Sequence, residues 1–142
     1  MKRLKKTFED LGFYNVSSYI NTGNVIFETD KNLSVEIIET TLSEEFGFSI
    51  PLLLRDLKNI ENVCSKVSDT KEEDEKQSIY IVFLWDEYNN EKSLNLVVKN
   101  EVDRVEYTDG AFIWYFKDTD YKKSGINKLT NSVLHKKVTV RN

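Results

Sequence analysis

Residues 68–77 (Ser-Asp-Thr-Lys-Glu-Glu-Asp-Glu-Lys-Gln) contain no apolar side chain, the clearest break in the hydrophobic patterning of this 142-residue chain. Such a stretch has nothing to bury and stays in water. It splits the chain, so each side must build its own core. The reading is therefore residues 1–67 as one subdomain, 68–77 as an acidic linker and 78–142 as a second subdomain. A chain of this length buries roughly two-thirds of its unfolded surface, enough for a real core. Hydrophobic content of 39%, with 12% aromatic, argues against disorder.

The second half begins with Ser78–Trp85, a nearly continuous apolar run that reads as a buried strand. A weak helix is expected within Glu87–Val98. Val102–Tyr107 and Ala111–Phe116 are two strands joined by a Thr108-Asp109-Gly110 hairpin signal. Ser124 is placed to cap a helix carrying Ile126, Leu129 and Val133, and Val138–Val140 is a short last strand. The order is β-α-β-β-α-β, the ferredoxin-like unit.

The first half reads as a helix over residues 2–11, ended by Gly12, then strands Val16–Ile20 and Val25–Glu28 around the turn Asn21-Thr22-Gly23-Asn24. Ser34 caps a helix with Val35, Ile38, Leu42 and Phe46 at helical spacing. Ile50–Arg55 is read as an edge strand because Pro51 stands near its start, and Asp56 caps a further helix. This is the same string without its opening strand. The fold class expected is α+β: two tandem ferredoxin-like (βαββαβ, α/β plait) subdomains, the first lacking its opening strand. An incomplete sheet invites pairing at its open edge, so self-association is one partner expectation.

The net charge of -4 provides no global basic field for a phosphate backbone. Cys64 is the only cysteine, so no disulfide forms within the chain, which suits a reducing compartment. No apolar run approaches the ~20 residues of a membrane span, and no apolar signal-peptide core follows the basic N-terminus. The protein is read as cytoplasmic, with no membrane partner.

Several motifs resemble those of the bacterial family known as domain of unknown function 1697. They are the hairpin Tyr19-Ile20-Asn21-Thr22-Gly23-Asn24-Val25-Ile26-Phe27, the helix exit Phe46-Gly47-Phe48-Ser49-Ile50-Pro51, the helix start Ser124 to Lys128-Leu129-Thr130-Asn131, and Thr139-Val140-Arg141-Asn142. The resemblance implies two ferredoxin-like subdomains and a chain shortened at both ends relative to the family. It implies no activity.

No catalytic grouping, cofactor or metal site is read from the sequence. His135, the only histidine, has no visible partner, and Cys64 lies on the apolar stripe of its helix. Two polar features are candidate ligand sites. Asn21, Gly23 and Asn24 present amides on a tight turn. Ser124, Lys128, Thr130 and Asn131 gather at a helix start that attracts a small anion, with Arg141 the basic residue of the last motif. The function read from this is a protein of unknown activity, a non-catalytic ligand-binding or protein-interaction module. An alternative is single-stranded nucleic-acid binding through Phe112, Trp114 and Phe116, which echo the stacking strand of an RNA-recognition motif; Asp109 stands where that motif wants a base, so nucleic acid is the less favoured partner. A third reading, a metal-dependent enzyme using Asp118 and Asp120, is the least favoured.

Overall fold

The computed structural model describes residues 2–19, 23–68, 77–131 and 138–141. The chain divides into two compact units, Met1–Leu54 and Arg55–Asn142. The division falls before the acidic stretch, whose residues 69–76 lie outside the described ones.

The first unit opens with helix α1 (Lys2–Asp10). Gly12 turns the chain out at φ 92°, and Lys31 Nζ donates to the Leu11 carbonyl at 3.0 Å, satisfying one helix-end acceptor. Strands β1 (Tyr14–Tyr19) and β2 (Asn24–Glu28) pair antiparallel, with Ser17 opposite Ile26 and Tyr19 opposite Asn24. The register slips between Tyr14 and Ser17, where Asn15 takes φ 52°. Helix α2 (Val35–Phe46) starts as expected: the Ser34 hydroxyl accepts from Ile37 N. Gly47 ends it in the left-handed region. Phe8, Phe13, Val16, Ile38 and Leu42 form the core, and the Phe13 and Phe27 rings stack with centroids 4.4 Å apart.

The second unit begins with helix α3 (Leu57–Ser68), capped as expected by Asp56, whose Oδ1 accepts from Asn59 N at 2.8 Å. Strands β3 (Gln77–Leu84), β4 (Arg104–Thr108), β5 (Ala111–Lys117) and β6 (Val138–Arg141) make one antiparallel sheet in the order β4-β5-β3-β6. One face of β5, with Phe112, Trp114 and Phe116, packs with Val82, Leu84, Val105, Ile126 and Leu129. Ile113 and Tyr115 on the other face are equally buried. A strand buried on both faces reads as a continuous apolar run, as this one does.

Two tandem ferredoxin-like subdomains do not form. Among the described residues the fold is α+β with two separate sheets, of two and four strands. The expected strand Ile50–Arg55 does not form: Pro51 has no N–H, and Leu52 N donates to Glu39 Oε1 at 3.0 Å. Ile50 and Leu52 still pack on the core, so their apolar character is used without a ladder. In the second unit, the described residues between strands form short 3-10 turns, Asp86–Tyr88, Glu91–Leu96, Asp118–Lys123 and Gly125–Asn131, where helices were expected; Val133 of the last expected helix lies outside the described residues. Asn89 and Asn90 interrupt the first of these connections, and the Asn90 side chain restarts it by accepting from Ser93 N.

Candidate functional site

The helix start at Ser124 is built around a residue that sequence reasoning did not single out. Asp103 Oδ1 accepts from Trp114 Nε1 at 2.9 Å and from the Ser124 hydroxyl, and Oδ2 accepts from Gly125 N at 2.7 Å and Asn100 N at 2.9 Å. Burial alone pushes the Asp103 carboxyl up; the bonds from Ser124, Asn100, Gly125 and Trp114 outweigh it and hold the group below the ordinary aspartate range. The Ser124 hydroxyl and the Gly125 N–H, two donors expected to take an external anion, are thus already spent on an internal one. A side chain at Gly125 has no room: a Cβ there would lie 1.8 Å from the Val98 carbonyl oxygen. Beside this hub is an open depression of about 390 Å³ lined by Lys99, Asn100, Glu101, Val102 and Lys123.

Of the other residues expected at this start, Lys128 is exposed on the same turn, while Thr130 and Asn131 are described only by their backbone there. Arg141 sits on β6 opposite Ile81, described by its backbone alone. His135 lies outside the described residues. Phe112 and Trp114 are 0% exposed and Phe116 is 2% exposed, leaving no ring face on which a base can stack. Asp118 Oδ1 accepts from the Ser78 hydroxyl, and among the described residues no three His, Cys, Asp or Glu side chains gather to hold a metal. Cys64 is exposed on α3, not in the core as its stripe implied.

A second polar network joins α3 to the β4–β5 hairpin. Asn89 Oδ1 accepts from Tyr107 Oη at 2.8 Å and Gly110 N at 2.7 Å, and Asn89 Nδ2 donates to Asp109 at 2.8 Å. Asn59 Nδ2 donates to the Asp109 carbonyl at 2.9 Å, and Asn62 Nδ2 to Thr108 Oγ1. Burial, then the charges of Asp109 and Glu91, raise the Tyr107 hydroxyl above its ordinary value, so it remains a donor. This network positions a turn.

The turn of the first unit differs. Asn21 and Thr22 lie outside the described residues; Gly23 takes φ 76° in open space, and Asn24 begins β2. The strands it joins hold the most exposed part of the hairpin. Tyr19 (63% exposed) and Ile26 (60% exposed) share its outer face, since Ile26 lies opposite Ser17 and Tyr19 stands two residues along β1 from Ser17. Val16, Val25 and Phe27 point the other way into the core. Among the described residues β2 pairs with β1 alone.

Fold and geometry together define a small two-unit α+β protein. The profile of the family described as Protein of unknown function (DUF1697) matches residues 1–114, and the chain belongs to that family. The motifs at Ser124–Asn131 and Thr139–Asn142 fall beyond the matched span. No curated protein matches the chain. Among solved structures it is similar to that of the conserved bacterial protein SP0830 from Streptococcus pneumoniae, with a TM-score of 0.72 and 19% identity over 100% of this chain and 82% of that one. At that identity the likeness concerns the fold alone. Among the described residues, no helix is long and apolar enough to cross a membrane.

Proposed function

We propose that this chain is a non-catalytic, cytoplasmic protein-interaction module that accepts an extended partner strand on the β2 edge of its first unit. The observation that carries the reading is the chemistry of that edge. Asn24–Glu28 holds no Lys, Arg or Pro, and its one charge stands at its end. Tyr19 and Ile26 offer apolar surface on the adjoining face. Proteins ordinarily blunt such an edge, and strand addition is a standard way to use one. The anion-binding alternative is weakened by Asp103, which already satisfies the Ser124 start.

The test is amide hydrogen exchange over residues 24–28 of the full chain. It is read against protein concentration and against an added end-blocked peptide of alternating Thr and Val. Slowed exchange at these amides in either titration is expected, lost in Ile26→Lys. Exchange that stays flat in both titrations overturns the reading.

A further inference from the structure

We infer that the strand received by β2 is β2 of a second copy, the two copies pairing antiparallel about a two-fold axis at Ile26 to make one sheet ordered β1-β2-β2-β1. This rests on the edge reading above and adds its occupant.

The two edges of the hairpin are not equivalent. On β1 the left-handed Asn15 and the register slip between Tyr14 and Ser17 break the regular spacing of ladder groups. Bulges of this kind deter edge pairing. Asn24, Val25, Ile26 and Glu28 of β2 all have partners on β1, and the slip lies on the β1 side. The regular edge is therefore β2.

Its sequence then selects the register. Residues directly opposite in an antiparallel pair lie on the same face, so Ile26, which faces out, must meet an outward residue of the other copy. Only registers centred on a residue satisfy this. Centring on Ile26 uses the whole of Asn24–Glu28: Ile26 faces Ile26, Val25 faces Phe27, and Glu28 faces Asn24. Centring on Val25 or Phe27 shortens the ladder, and centring on Glu28 sets two carboxylates against each other. The strand is self-complementary in one arrangement, as an isologous two-fold contact requires. The outer faces then join, placing the two exposed Ile26 side chains side by side.

Sedimentation equilibrium of the full chain from micromolar to millimolar concentration tests this. The mass is expected to rise toward twice that of the monomer. Ile26→Lys sets like charges opposite each other and is expected to remain monomeric over the same range, with an unchanged far-UV circular dichroism spectrum. Cross-linking tests the register. In a Cys64→Ser background, Ile26→Cys places two cysteines on facing positions, where antiparallel Cα separations of about 4.5–5.5 Å fall within disulfide range. Oxidation is expected to give a covalent dimer. Ser17→Cys, on β1 opposite Ile26 within one copy, is expected to give none. A chain monomeric throughout, or a dimer that cross-links at residue 17 and not at residue 26, overturns the inference. If the chain is monomeric and the Thr-Val peptide still slows exchange at residues 24–28, the dimer fails and the edge reading stands. If neither occurs, both fail.

Discussion

The two sheets meet the problem of exposed strand edges in opposite ways. The four-stranded sheet of the second unit ends at β4, where Arg104 and Glu106 pair at 3.5 Å and Arg104 also lies over the Tyr115 ring at 4.1 Å. Charges on an edge make addition of a further strand costly. Its central β5 is buried on both faces. The two-stranded sheet of the first unit has one buried face, an outer face with Tyr19 and Ile26, and a β2 edge without a positive charge. A sheet edge that carries charges, as β4 does, suits a scaffold, and an edge without Lys, Arg or Pro is what contact with another chain needs. The binding surface is therefore sought on the smaller sheet, although the richer aromatic sequence lies on the larger.

The comparison breaks most readily at β5. Trp114→Ala should destabilise the protein by about 4 kcal/mol, since it empties a buried aromatic site and removes a donor from Asp103. The same truncation at Phe8, in the smaller core, should cost less; urea denaturation followed by circular dichroism measures both. Equal losses would mean that the sheets are anchored alike.

Asp103→Asn should cost about 2–3 kcal/mol, because it weakens charge-assisted hydrogen bonds at a part-buried group. It should also change the pH profile. The folded-state value is depressed, so the stabilising contribution of Asp103 is complete above the ordinary aspartate range. It is lost as pH falls through the ordinary aspartate range and below, where the unfolded chain binds the proton first. In Asp103→Asn, stability measured by denaturation over that window should fall less steeply with acid than in the parent. An unchanged slope would remove Asp103 from its central role.

Ser34→Ala should cost about 1 kcal/mol, the loss of one N-cap, and should leave the sheet edge untouched. Ile26→Lys should change stability by less than about 0.5 kcal/mol, as expected of an exposed site, while abolishing association. This smallest stability effect makes the sharpest contrast, because it separates the role of β2 in folding from its role in contact. A large loss of stability in Ile26→Lys would instead make the outer face part of the core.

Much of the local structure was legible in the residues. Ser34 and Asp56 cap helices where the pattern placed them, and Gly47 ends α2. The hairpins, the apolar β3 run and the closing strand lie within a few residues of their expected bounds. These features depend on near neighbours along the chain, which sequence displays directly. Ile50–Arg55 was misread because an apolar segment packed on a core looks like a strand, and nothing local reveals that Glu39 takes its N–H. The Asp103 hub was missed for the same reason: its partners Trp114, Ser124 and Gly125 lie 11 to 22 residues away.

The amino-acid order alone determined where helices start and stop, which strands are apolar, and membership in a family, because capping, periodicity and turn chemistry act over a few residues. Tertiary structure alone decided that the Ser124 hydroxyl and the Gly125 N–H are met from within by Asp103, that the β5 aromatics are shut away, and that β2 is the regular edge of its hairpin, with Glu28 its one charge. Each of those outcomes depends on which distant groups the fold brings within hydrogen-bonding or packing distance, and that information is not carried by any short stretch of chain.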